Sequence, residues 1–91
     1  MGISNDDIQK ALRIKRAVSK YFETSTKTKV EAKELMPLFI KDGIFKKDHK
    51  DGLPIREFLR YLYEVNHLHV IPQALYEQKE VNKNWYFIKP K

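Results

Sequence analysis

The sequence predicts an α+β fold in which three helices are followed by a C-terminal two-stranded β-hairpin. Two observations favour this fold. Apolar residues recur at helical spacing in three segments as far as His67, and beyond it they alternate with polar residues as they do in strands. The 91 residues, 42% hydrophobic and 33% charged, are typical of a globular chain, and we expect a single domain over 1–91.

The first helix is predicted to begin at a cap on Ser4 or Asn5 and to run to about Phe22. Its apolar face comprises Ile8, Ala11, Leu12, Val18 and Phe22, with Ile14 and Tyr21 on the flank. A polar ridge on the opposite side comprises Gln9, Arg13, Arg16 and Lys20. We expect the apolar face to pack on the core and the ridge to face solvent.

A second helix is predicted to begin near Lys29, because Thr28 and Glu31 have the spacing of a capping box. Its buried face comprises Ala32, Leu35, Met36, Phe39 and Ile40. Pro37 removes one helical hydrogen bond and is expected to kink this helix, and Gly43 is expected to end it.

The third helix is predicted within Gly52–His67, with Pro54 near its first position. The apolar stripe comprises Ile55, Phe58, Leu59, Leu62 and Val65, and the opposite ridge comprises Arg56, Arg60, Tyr63 and His67. Two guanidinium groups with an aromatic ring between them suit phosphates and base edges. The alternative interpretation is a solvated face, on which Glu57 and Glu64 pair with Arg60.

The hairpin is predicted to pair a strand over 69–76 with a strand at Trp85–Ile88. Pro72 should mark an edge or a bulge in the first strand. We expect the aromatic residues of the second strand, Trp85 and Phe87, to be buried. The connecting segment carries two basic residues at the tip of the hairpin, Lys79 and Lys83.

Three helices followed by a hairpin, with a basic face on the third helix, resemble the winged helix-turn-helix superfamily. The resemblance implies that the third helix enters the DNA major groove and that the hairpin, the wing, contacts the DNA backbone. It implies base-reading positions at Arg56, Arg60 and Tyr63, with His67 on the same ridge, and wing contacts at Lys79 and Lys83. It implies further phosphate contacts from Arg13, Arg16 and Lys20 if the first helix faces the same side.

Two functions remain open from the sequence. The net charge of +6 favours a polyanionic partner, and with the resemblance it predicts DNA binding, as in a transcription regulator, with RNA as a second candidate. The alternative is a protein-interaction module, either a homodimer or a complex with another protein. Its contacts would come from the hairpin edge and the tyrosines Tyr61, Tyr63 and Tyr76.

Enzymatic chemistry is the least supported function. The chain contains no cysteine, no glycine-rich phosphate loop and no calcium-loop or zinc-protease pattern, so we expect no catalytic residues, metal or cofactor. No apolar run approaches transmembrane length, and no hydrophobic signal segment opens the chain. We therefore expect a cytoplasmic protein without a membrane partner.

Overall fold

The computed structural model describes residues 3–89 as an α+β domain with helices packed on an antiparallel sheet. The helices are α1 (Asn5–Thr24), α2 (Met36–Lys41) and α3 (Leu53–Glu64), and the strands are β1 (Lys29–Glu31), β2 (Ala74–Gln78) and β3 (Lys83–Ile88). Two short 3-10 segments precede α2 and β2, at Ala32–Leu35 and Leu68–Val70. Three helices and a C-terminal hairpin were predicted; the strand β1 was not.

Helix α1 begins where its cap was predicted. The Ser4 side chain accepts a hydrogen bond from the backbone N–H of Asp7 (3.2 Å), which satisfies a donor that has no partner within the helix. Ile14 was placed on the flank of the apolar face but is completely buried, whereas Ile8 and Leu12 are half-buried.

The predicted start of the second helix near Lys29 is wrong. Residues Lys29–Glu31 are extended and form β1, which pairs with β3 so that Val30 lies opposite Phe87. The capping box lies three residues further on, where the Glu34 carboxylate accepts a hydrogen bond from the N–H of Glu31 (2.9 Å). Burial of Val30 against the sheet favours the strand over an additional helical turn.

Pro37 divides the predicted second helix instead of kinking it. The chain forms a 3-10 turn at Ala32–Leu35, and α2 then begins with Pro37 in its first turn, where a missing N–H costs no hydrogen bond. Gly43 follows the end of α2 with a φ of 76°, as expected for a glycine that ends a helix.

Helix α3 begins after Gly52, as predicted, but ends at Glu64. Asn66 adopts a φ of 61°, a left-handed conformation that stops the helix. His67 therefore lies beyond the helix, and the prediction that it extends the ridge of Arg56, Arg60 and Tyr63 is wrong.

The three strands form one sheet in the order β1-β3-β2, and both pairings are antiparallel. The first hairpin strand begins at Ala74, five residues later than predicted, because a 3-10 segment occupies Leu68–Val70 and Pro72 cannot donate to a ladder. The returning strand β3 begins two residues earlier than predicted, at Lys83.

The core lies between the helices and one face of this sheet. Phe39 of α2 and Phe87 of β3 are completely buried and meet edge to face, with ring centroids 6.1 Å apart. Trp85 is also buried, as predicted. Among residues 3–89, no helix is both long and apolar enough to cross a membrane.

Candidate functional site

A cleft of about 600 Å³ lies between α3 and the β2–β3 hairpin. It is lined by Leu53, Arg56, Glu57 and Arg60 from the helix side and by Lys79, Val81, Asn82, Lys83, Asn84 and Trp85 from the hairpin. The packing of Trp85, which is only 4% exposed, holds the hairpin beside the helix. Four residues predicted separately on the third helix and on the wing are thus brought together at one concave surface, namely Arg56, Arg60, Lys79 and Lys83. Tyr63, also predicted on the third helix, does not line the cleft.

Two cations of this cleft, Arg60 and Lys79, are held only by weak surface interactions. Arg60 contacts Glu64 at 3.8 Å and Lys79 contacts Glu77 at 3.3 Å, and all four side chains are more than half exposed. Exposed ion pairs of this kind contribute little to stability, so an incoming anion can displace them at low cost. Of the two pairs predicted for Arg60, the structure forms the one with Glu64.

Arg56 differs from the other cations because its side chain is half-buried and engaged with the preceding loop. Its Nη2 donates a hydrogen bond to the backbone carbonyl of Lys50 at 2.6 Å. Its Nε is buried and has no partner among the residues that the structure describes. The guanidinium therefore ties α3 to the loop before it as well as lining the cleft.

Three aromatic side chains form a cluster beside the cleft. Tyr63 lies edge to face with Tyr76, with ring centroids 5.2 Å apart, and Trp85 contacts both rings. A side-chain hydrogen bond with Tyr63 raises the pKa of Tyr76 above its usual value. The ammonium group of Lys83 lies 4.9 Å from the centroid of the Tyr63 ring, a cation–π contact that directs this lysine toward α3.

The basic ridge of α1 lies away from the cleft. The Nη2 of Arg13 donates to the backbone carbonyl of Asp42 at 2.7 Å, next to the end of α2, and Arg16 and Lys20 are exposed. None of these three residues lines the cleft. The structure does not bring the two basic ridges together at one site.

His67 also lies outside the cleft. Its Nδ1 is 2.8 Å from the backbone carbonyl of Val65, and its ring stacks on that of His69 with centroids 5.7 Å apart. The sequence left the separation of these two histidines undetermined, and the 3-10 turn at Leu68–Val70 fixes it. In the part of the chain that the structure describes, no group of three potential metal ligands is present.

Sequence reasoning missed several residues of the cleft. Val81, Asn82 and Asn84 fall in the segment that was predicted only to connect the two strands, and Leu53 was given no role, yet all four line the cleft. The early start of β3 at Lys83 brings these hairpin residues beside the helix. Alternation around Trp85 is the local signal that could have extended the strand to Lys83.

Comparisons with models of known protein families, with curated proteins and with solved structures gave no match.

Proposed function

We propose that this domain binds duplex DNA through the cleft between α3 and the hairpin, as a cytoplasmic winged-helix type protein and transcription regulator. The observation that supports the proposal is the convergence of Arg60, Lys79 and Lys83, from two separate elements, on one concave surface. Cations on a concave surface can contact successive phosphates of one backbone, and each contact releases counterions from the DNA.

The order of the elements also supports the proposal. Three helices followed by a hairpin form the outline of a winged helix, and β1 adds a third strand that anchors β3 in the sheet. In this arrangement α3 is the helix that would enter the major groove, and Lys79 and Lys83 of the wing would bind phosphates.

The proposed roles of the residues follow their surroundings. Tyr63 is 39% exposed on α3 beside the cleft and is the best placed to reach base edges, whereas Arg60 lines the cleft with the wing lysines and would bind phosphate. Arg56 has one guanidinium nitrogen committed to the Lys50 carbonyl, so its first role is to position the loop and only its second is to contact DNA. Arg16 and Lys20 of α1 would contribute long-range attraction without direct contact.

The test is fluorescence anisotropy of a labelled duplex titrated with protein over a salt series. Arg60→Ala/Lys79→Ala removes two charges from the cleft, and Arg16→Ala/Lys20→Ala removes two from α1, so the two variants have the same net charge. We expect the cleft variant to flatten the dependence of log affinity on log salt by roughly 0.9 per lost contact, and the α1 variant to change this slope much less. Equal effects from the two variants would refute the cleft as the binding site.

A protein-interaction surface is the second candidate. Strand β2 is an edge of the sheet, and Leu75 on this strand is 38% exposed, while Val81 at the hairpin tip is 87% exposed. An edge strand with exposed apolar residues can accept a strand from another protein or from a second copy of this chain. Chemical cross-linking with sedimentation analysis tests for a homodimer, and an absence of DNA binding at low salt would favour this candidate.

A further inference from the structure

A second pocket, of about 270 Å³, adjoins the cleft at the end away from the hairpin tip. Both pockets are lined by Arg56, Asn84 and Trp85, so they are adjacent, and the two together are called the groove. The second pocket adds Lys33 and Lys50 on its far side. The groove as a whole carries six basic side chains, Lys33, Lys50, Arg56, Arg60, Lys79 and Lys83, and three acidic ones, Glu31, Asp51 and Glu57.

The backbone that carries Lys50 is held in a fixed, unfavourable conformation. Lys50, Asp51 and Gly52 have successive positive φ values of 50°, 52° and 84°. Left-handed conformations cost non-glycine residues roughly 1–2 kcal/mol each, and such strain persists where surrounding contacts enforce it. Here the contacts are the bond from Arg56 to the Lys50 carbonyl and a bond from the Gly52 N–H to the Asp48 carboxylate (2.9 Å).

The backbone of Lys33 packs against the same loop. Its Cα and Cβ pack so closely on Gly52 that no side chain fits there. Its side chain is 47% exposed, and its ammonium group lies 3.9 Å from the Glu31 carboxylate, a weak pair that leaves it available to an anion. The held backbone at both positions keeps the two lysines at the lining of this pocket, where their exposed side chains can reach a phosphate.

We infer that the DNA backbone that enters the cleft continues along the groove, and that Lys33 and Lys50 bind its phosphates in the second pocket. The inference rests on the proposed function and extends it, since neither lysine belongs to α3 or to the hairpin. The contact surface then runs from the hairpin tip, past Arg56, to the loop before α3. Glu31 and Asp51 border this pocket and limit it to a short stretch of backbone by repelling other phosphates.

The test compares two variants that each lose two lysines. Lys33→Ala/Lys50→Asn removes the charges of the second pocket, with asparagine at position 50 because it tolerates a positive φ. Lys46→Ala/Lys47→Ala removes two exposed charges from the same loop that line neither pocket. With the labelled duplex in about 0.1 M salt, we expect the first variant to lose roughly an order of magnitude or more in affinity and about 1.8 in salt slope. The second variant should change both quantities clearly less.

Hydroxyl-radical footprinting of the same complexes locates the lost contacts. Lys33→Ala/Lys50→Asn should shorten the protected stretch at one end, and Arg60→Ala/Lys79→Ala should weaken protection elsewhere. Circular dichroism melts establish that each variant is folded. If the wild type binds DNA and the cleft variant weakens binding, but the two lysine pairs have equal effects, the second pocket is refuted while the proposed function stands. If the wild type does not bind DNA at low salt, both proposals fall.

Discussion

The exposed faces of α1 and α3 both carry basic residues at helical spacing, but their surroundings differ. Each face contains an arginine that donates to a backbone carbonyl of a nearby loop, Arg13 to Asp42 at 2.7 Å and Arg56 to Lys50 at 2.6 Å. Gly43 follows Asp42 directly, and Gly52 follows Lys50 after one further residue. Both glycines have a positive φ. The β2–β3 hairpin lies beside the basic face of α3, and there Arg56 and Arg60 line the cleft, whereas Arg13, Arg16 and Lys20 do not.

The difference teaches that spacing along a helix identifies a charged face but does not distinguish a binding site from a solvated surface. Arg16 and Lys20 remain separate exposed charges. On α3 the sheet places Lys79 and Lys83 opposite Arg60, and this juxtaposition depends on pairings such as Tyr76 with Trp85. Matched substitutions near α1 and near α3 measure how far the two regions differ in their contribution to stability.

The largest expected effect is the difference in lost stability between substitutions of Gly52 and of Gly43. A Cβ at Gly52 would lie 2.6 Å from Lys33 Cα, at a φ of 84°, whereas a Cβ at Gly43 would meet its nearest atom, Arg13 Nη2, at 3.6 Å. Gly52→Ala therefore combines a steric clash with backbone strain and should lower the free energy of unfolding by about 2–5 kcal/mol. Gly43→Ala incurs only the strain and should cost about 1–2 kcal/mol. Urea denaturation of the two variants measures both values.

Equal losses at the two glycines would contradict the close approach of Lys33 to Gly52. The companion variant Gly52→Asn supplies a control, since asparagine tolerates positive φ but still carries a Cβ. It should keep the part of the loss that comes from the clash, about 1–3 kcal/mol, because the clash is common to both substitutions.

The next largest effect is the difference in lost stability between substitutions of Arg56 and of Arg13. Arg56→Met and Arg13→Met keep most of the aliphatic stem and remove the guanidinium. Because Arg56 is half-buried and Arg13 is exposed, losing the charged hydrogen bond should cost about 1–2 kcal/mol at position 56 and less than about 1 kcal/mol at position 13. The same urea experiment applies. A larger loss at position 13 would show that the end of α2 depends on its arginine more than the loop before α3 does.

Local signals were sufficient to predict where α1 and α3 begin, but not the bounds of α2. Periodicity identified the buried faces of α1 and α3, and single residues set their starts, as with Ser4 and Gly52. Strand β1 was missed because it has three residues and is defined by pairing with a distant part of the chain, Val30 with Phe87. The capping-box spacing of Thr28 and Glu31 predicted a helix start there, but burial of Val30 in the sheet favours the strand.

The candidate site was predicted in part. The cleft is lined by Arg60, Lys79 and Lys83, as expected if α3 and the wing share one surface. His67 does not line it, because Asn66 ends the helix before this residue. Lys33 and Lys50 carry no sequence signal. Lys50 lies in a loop whose successive positive φ values arise from tertiary contacts, and Lys33 packs against the same loop. The periodicity of apolar residues in the sequence does not report such contacts.

The smallest expected effect concerns how the two helices begin. Helix α1 has a side-chain cap, since Ser4 accepts from the Asp7 N–H, whereas the cap residue of α3 is Gly52, which has no side chain. Ser4→Ala should lower the free energy of unfolding by about 1 kcal/mol, and Ser4→Asp should restore it because aspartate is an equally good cap. Thermal melts with urea titrations measure the change. No loss in Ser4→Ala would mean that water satisfies the first N–H groups of α1 as well as Ser4 does, and that the two helix starts differ less than their geometry indicates.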